Sequence, residues 1–148
     1  MTFEEKANIE IIKTLFNPKK EKNLVGCYNG AYDQLVYTDN GLQIFTIPNS
    51  AVYIDYKRCF PNAERIDKLL YNELETDISV PTFRLYQVKD GRVLEEFETV
   101  EGNRRSMWID RKLLARFEQP STYMMGKDMI YLENEQGVRY GAIMRVRI

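Results

Sequence analysis

Few residues of this chain have the types and spacing that catalysis or metal binding requires. The 148 residues include no histidine, and Cys27 and Cys59 stand far apart rather than in a Cys-x-x-Cys pair. Histidine-based nucleophiles and the common zinc sites therefore cannot be built. Asp33, Asp39 and Asp55 lie near predicted strand ends, where they suit either Mg²⁺ or ordinary turns. We expect no catalytic residue, no metal ligand and no cofactor; an enzyme with an unrecognised carboxylate site is one alternative.

Basic residues suggest a different chemistry, contact with DNA phosphates. From Arg104 to Ile148, nine lysines and arginines stand against five acidic residues, whereas the first 75 residues have nine against eleven. A local positive strip attracts phosphate even when the net charge is only −1. Solvated helix faces produce the same pattern, and this interpretation stays open. The candidate DNA contacts are Lys13, Lys19, Lys20, Arg104, Arg105, Lys112 and Arg116.

The elements that must position these side chains begin with a helix over about residues 3–16. Thr2 and Glu5 form a capping box, apolar residues recur at three- and four-residue spacing, and Asn17-Pro18 ends the helix. About four short strands follow up to residue 57, with Asn29-Gly30 and Asn40-Gly41 as hairpin signals and Pro48-Asn49-Ser50 as a further turn. Residues 60–81 form either a weak helix or an irregular connector.

The second half has a similar order of elements. Asp90-Gly91 predicts a hairpin, residues 103–109 predict a third strand, and a short helix follows over about residues 110–118. Asp110 is its predicted N-cap and Pro120 its stop. Helical spacing places Leu113, Leu114 and Phe117 inside, and leaves Lys112 and Arg116 exposed. Two strands around Asn134 to Gly137 close the chain.

The last segment alternates like a strand from Val138 to Ile148. Its predicted inner face consists of Val138, Tyr140, Ala142, Met144, Val146 and Ile148. The arginines Arg139, Arg145 and Arg147 fall on the other face, where charge protects an edge strand from pairing with other chains.

These elements predict one α+β domain over residues 1–148, with two short helices on curved, mainly antiparallel sheets. Apolar residues make up 44% of the chain, a usual share for a globular protein. No stretch has the length and hydropathy of a membrane span, and the N-terminus is too polar for a signal peptide. We expect a cytoplasmic protein, with the oligomeric state left open.

Several segments resemble bacterial DNA polymerase III sliding clamps. The end "AIMRVRI" resembles the last clamp strand, with Arg145 in place of the family's proline. "YTDNGL", "CFPNAERI" and "MWIDRKLLARF" resemble further clamp segments in the family's order, with Asn40 added and Asn62 in place of an aspartate. The chain fits only one clamp domain, or a condensed join of two, so a phage or mobile element is the setting that this resemblance suggests.

The resemblance implies a non-enzymatic clamp-like module for DNA replication or repair. Its partners would be replication or repair proteins that carry a short clamp-binding peptide, and DNA where the basic helix faces contact it. When the peptide-binding positions of the clamp family are matched to this sequence, the resemblance implies the peptide-binding residues Thr38, Leu42, Pro61, Ile66, Ala142 and Met144. A protein-interaction domain unrelated to replication is the other alternative, and Leu42, Ile66 and Met144 could then simply be core residues.

Overall fold

The computed structural model describes residues 1–17, 24–28, 34–38, 42–53, 70–71 and 75–148. The chain divides into two compact units, Met1–Asn72 and Glu73–Ile148. Both combine helix with antiparallel strands, which confirms the α+β class and the two short helices. The prediction that residues 1–148 form one clamp-like domain stays a prediction.

The first unit starts with helix α1, Phe3–Leu15. The capping box is confirmed: Glu5 N–H donates to Thr2 Oγ1 at 3.2 Å, and Thr2 N–H donates to Glu5 Oε2 at 2.9 Å. These bonds satisfy amides that a helix start leaves without partners. Ala7 and Ile11 are buried, as the apolar stripe predicts.

Three strands follow in this unit: β1, Leu24–Tyr28, β2, Gln34–Thr38, and β3, Gln43–Pro48. They pair in chain order as an antiparallel meander. The predicted turns at Asn29-Gly30 and Asn40-Gly41 lie outside the described residues. Residues 49–51 form a 3₁₀ turn, and Val52 and Tyr53 belong to no strand, so the predicted fourth strand is wrong over residues 51–53.

One buried asparagine joins α1 to this 3₁₀ turn. Asn8 Nδ2 donates to the carbonyls of Glu4 and Ala51, both at 2.8 Å. Asn8 Oδ1 accepts from the Tyr53 N–H at 2.8 Å. Because a buried amide is costly unless its atoms are bonded, this set of bonds fixes where the chain turns after β3.

The second unit has six strands in the order β9-β8-β7-β4-β5-β6, and every neighbouring pair is antiparallel. Their bounds are β4, Asp77–Gln87, β5, Val93–Thr99, β6, Ser106–Asp110, β7, Thr122–Met125, β8, Met129–Glu133, and β9, Arg139–Met144. Val146, just after β9, forms an antiparallel bridge with Trp108 of β6. The sheet therefore curls until its two ends meet.

The turns of the second unit follow the sequence predictions. Gly91 adopts φ 93°, and Asp90 accepts from the Arg92 backbone N–H at 2.9 Å. Asn134 Oδ1 accepts from the N–H groups of Gln136 and Val138, each at 3.0 Å. Short polar side chains that bond nearby amides fix these turns locally, which is why sequence alone locates them.

The second helix is shorter than predicted. Helix α2 is Arg111–Leu114, with Asp110 as its N-cap accepting from Lys112 N–H at 2.9 Å. Beyond it, the N–H groups of Arg116 and Phe117 donate to the carbonyls three residues before them, which tightens the chain into turns. Phe117 is buried as predicted, but Leu114 is half-buried, and Arg116 is half-buried rather than exposed.

The prediction of an unbroken strand to Ile148 is wrong. β9 ends at Met144. Arg145 N–H still donates to Asp128 O, which is opposite it in the β8–β9 register, at 2.9 Å, but Val146 N–H donates to Trp108 O of β6 at 2.8 Å. Met144 is 40% exposed and Ile148 64% exposed, so neither belongs to the core.

The assignment of the two faces of the last segment also needs correction. Ile143, which strict alternation places on the same face as the arginines, is fully buried opposite Ile130. The Arg139 side chain is only 12% exposed; it pairs with Glu133 and lies 4.4 Å from the centre of the Tyr131 ring. Gly141, Ala142 and Ile143 are all buried, so both faces of β9 are covered there and simple alternation of polar and apolar residues does not hold.

Candidate peptide-binding groove

The site begins with an irregularity in the middle of β4. Pro81 lies opposite Phe97 of β5, and Leu85 lies opposite Glu95, so residues 82–84 face the single residue Glu96. Such a bulge bends the strand and leaves residues unpaired. At its tip, Phe83 adopts φ 67° and is 82% exposed. The left-handed conformation costs a residue with a Cβ about 1–2 kcal/mol, so the surrounding bonds must hold it in place.

Glu96 holds the bulge from inside. Its carboxylate is buried and accepts from Thr82 Oγ1 at 2.9 Å, from Arg84 Nε at 2.9 Å and from Arg84 Nη2 at 2.6 Å. Hydrogen bonding to Glu96 raises the pKa of the Arg84 guanidinium, which stays charged. These charge-assisted bonds fix the residues on both sides of Phe83, which therefore projects from a rigid support.

Among the described residues, much of β4 has a neighbouring strand on one side only. β7 pairs with Asp77, Ile78 and Ser79 and goes no further. Val88 N–H donates to Arg92 O at 3.0 Å, and hydrogen-bonded pairs alternate along an antiparallel ladder. The N–H and C=O groups of Leu85 and Gln87 therefore point away from β5, toward a side where the described part of the chain places no strand.

A groove of about 670 Å³ lies beside this open edge of β4. One wall is formed by β4 from Ile78 to Phe83, and the other by residues 114–122. Apolar side chains dominate the lining, among them Val80, Phe83 and Leu114. Ligand sites typically combine such apolar walls with a few polar groups.

The polar groups of the groove include Glu95 and Tyr123. Burial, and then the charge of Glu95, raise the pKa of the Tyr123 phenol, which is therefore neutral at physiological pH. Glu95 is half-buried, and its carboxylate makes no hydrogen bond or ion pair with the rest of the described chain. The groove thus presents one unpaired carboxylate among apolar side chains.

Leu42, Ala142 and Met144, three of the residues predicted to bind peptides, are not among those that line this groove. Thr38 ends β2, opposite Ile44 of β3, and Leu42 is exposed just before β3, both in the first unit. Pro61 and Ile66 lie outside the described residues. In the second unit, Ala142 is fully buried and Met144 is exposed, two residues apart in β9. The clamp-like pocket stays a prediction.

The predicted DNA contacts have different environments. Lys13 is exposed near the end of α1, and Lys19 and Lys20 lie outside the described residues. Arg104 and Lys112 are exposed in the second unit, at opposite ends of β6. Arg105 instead donates to Asp77 Oδ2 at 2.8 Å and to Gly126 O at 3.2 Å, and Arg116 is half-buried. Phosphate would have to compete with these bonds for Arg105.

Comparison of the chain with protein-family models, curated proteins and solved structures finds no match. Among the described residues, no group of three or more cysteines and carboxylates could hold a metal ion. The helices in that part of the chain are all too short or too polar to cross a membrane.

Sequence reasoning missed this groove, although one signal pointed toward it. Pro81 interrupts a strand-like run, and proline within a strand indicates an edge or a bulge. No local sequence signal indicates that Glu96, 15 residues after Pro81, holds the bulge in place. That contact depends on the pairing of β4 with β5.

Proposed function

We propose that this chain is a non-enzymatic protein-interaction module, and that its second unit binds an extended segment of a partner protein along β4. The observation that carries the proposal is the open backbone edge at Leu85 and Gln87. An extended peptide that adds to such an edge gains main-chain hydrogen bonds, and neighbouring pockets select its side chains.

The exposed side chains of β4 support this proposal. Ile78, Val80, Phe83, Leu85 and Tyr86 are all large, apolar and exposed. Monomeric proteins rarely leave so many neighbouring apolar side chains on one strand exposed without a binding role. The bonds of Glu96 hold Phe83 in place before any partner arrives, so binding does not have to order it.

The clamp resemblance stays a narrower prediction within this proposal. It would make the partners replication or repair proteins and would place their peptides near Leu42 and Met144 rather than on β4. Binding at β4 requires no clamp ancestry, and it equally fits an interaction domain outside replication.

The test uses peptides selected from a random decapeptide display library against the intact chain. Gln87→Pro removes an outward N–H from β4, whereas Gln87→Ala removes the side chain and keeps the N–H. We expect Gln87→Pro to weaken binding about tenfold, because the loss of one hydrogen bond costs about 1.4 kcal/mol. Gln87→Ala should bind as tightly as the unmodified chain.

Melting temperatures close to that of the unmodified chain must first show that both variants fold. Failure to select any binding peptide, or equal binding by Gln87→Pro and Gln87→Ala, would refute strand addition at β4. Loss of binding on Met144→Ala, with the Gln87 variants unaffected, would instead support the clamp-like pocket.

A further inference from the structure

The chemistry of the groove also restricts the partner. We propose that Glu95 selects a lysine or arginine in the bound segment, at the position opposite Leu85. This inference rests on the proposed function, since it concerns a side chain of the strand that adds to β4.

The register of the sheet defines the position. Leu85 and Glu95 are directly opposite each other in β4 and β5, so their side chains lie on the same face. An added strand would place its own residue opposite Leu85 on that same face. Strands are about 4.8 Å apart, so Glu95 would lie about 10 Å from the added backbone, with Leu85 between them.

A long basic side chain suits this geometry. Lysine and arginine lay an apolar stem over hydrophobic surface and keep the charge at the far end. The stem would cover Leu85, which is about half exposed, and the charged group would reach the Glu95 carboxylate. A short or acidic side chain at that position would leave Leu85 uncovered or repel Glu95.

Glu95 is the carboxylate on β5 that is available for this role. Glu96 already binds Arg84, and Glu98 has Arg104 at 3.9 Å. Glu95 is half-buried and has no such partner within the described chain. A carboxylate withdrawn from water without a counter-charge is unfavourable, and an incoming cation removes that cost.

The experiment uses a peptide selected as above and its analogues with lysine, norleucine or glutamate at each position in turn. Norleucine keeps the length of the lysine stem without the charge. For the unmodified chain, we expect one position at which lysine binds about tenfold more tightly than norleucine, and glutamate more weakly still. Glu95→Gln should remove this preference, and Glu95→Lys should reverse it toward glutamate. Glu98→Gln, which changes the charge three residues away on β5, should retain it.

The outcomes separate the two proposals. If peptides bind through the β4 edge but no position prefers lysine, or if the preference survives Glu95→Gln, the inference is overturned while strand addition stands. If no peptide binds the unmodified chain, both fail. Unchanged melting temperatures of the glutamate variants show that any loss of preference does not reflect unfolding.

Discussion

At Gly141, the packing of the second unit leaves no room for any side chain. A Cβ at this position would lie 2.7 Å from Phe117 Cζ, closer than carbon atoms can approach. Phe117 is buried and also meets the Tyr140 ring, with 5.7 Å between ring centres. The sequence predicts that Phe117 faces inward, but it does not indicate that Phe117 lies on a glycine of β9, because that contact depends on how the turn after α2 crosses the sheet.

We expect Gly141→Ala to lower the free energy of unfolding by about 1–3 kcal/mol, because the added methyl group overpacks the site. Urea denaturation measures the change. Adding Phe117→Leu should recover part of it, since the smaller side chain makes room, and the two substitutions should therefore be non-additive. Full stability of Gly141→Ala would mean that Phe117 does not pack on this backbone.

Tyr140 should make the stability of the folded chain depend on pH in the alkaline range. Burial raises its pKa to about 12, and its hydroxyl donates to Glu118 O at 3.0 Å. The unfolded chain loses the phenol proton near pH 10, its usual pKa, while the folded chain retains it. The folded state therefore binds more protons between these values, and stability should fall as the pH rises from about 10 to about 12.

Urea denaturation at about pH 9 and about pH 11 measures this slope, and Tyr140→Phe is the matched control. The variant should lose about 1 kcal/mol at the lower pH, because its hydrogen bond is absent, and should show a shallower decline. Equal slopes for the two proteins would contradict the assignment to Tyr140.

At the scale of elements, the segment after β9 is the clearest difference between sequence pattern and structure. The alternation through Val138 to Ile148 predicts three further core side chains, Met144, Val146 and Ile148. The structure instead leaves Met144 and Ile148 exposed, with Val146 bound to β6 through its backbone. Local turn chemistry correctly predicts the turns at Asp90-Gly91 and around Asn134 to Gly137, whereas the bridge after β9 depends on Trp108, which is distant in sequence.

Val146→Pro should destabilise the second unit, because proline removes the N–H that donates to Trp108 O. We expect a loss of about 1–3 kcal/mol, the cost of one broken bond and an unsatisfied carbonyl. Arg147→Pro is the control, since the Arg147 N–H has no backbone partner in the described chain. Tryptophan fluorescence follows both, because Trp108 is the chain's single tryptophan. Equal effects would show that the bridge contributes nothing specific.

For the whole molecule, charge favours weak and nonspecific DNA binding at most. The net charge is −1, and Arg105 is engaged by Asp77, while Arg104 and Lys112 stay exposed. The net charge follows from composition alone, without knowledge of the fold. Which arginines take structural roles could not be predicted, because each role depends on strands that meet only in the folded chain.

Any binding to labelled duplex DNA, followed by fluorescence anisotropy, should fall steeply between about 50 and about 200 mM salt, because phosphate contacts release counterions. Arg104→Ser with Lys112→Ser should weaken it further. Lys89→Ser with Arg92→Ser removes equal charge from the β4–β5 hairpin and should have less effect. Salt-independent affinity, or equal effects of the two pairs, would contradict an electrostatic strip near Arg104 and Lys112.

The bulge in β4 has a consequence for how this strand tolerates insertions and deletions. Between Pro81 and Leu85 the strand has three residues where β5 has one, so the excess is two. An ordinary bulge has an excess of one residue, and the residues after it keep their partners and therefore their faces. Loss of both Thr82 and Phe83 would bring Arg84 directly opposite Glu96, already its ion-pair partner, and yield a regular strand. Loss of either residue alone would leave an ordinary bulge, with two residues opposite Glu96 and Leu85 still opposite Glu95. We therefore expect the pairing of β4 with β5 beyond the bulge to survive the loss of either residue or of both.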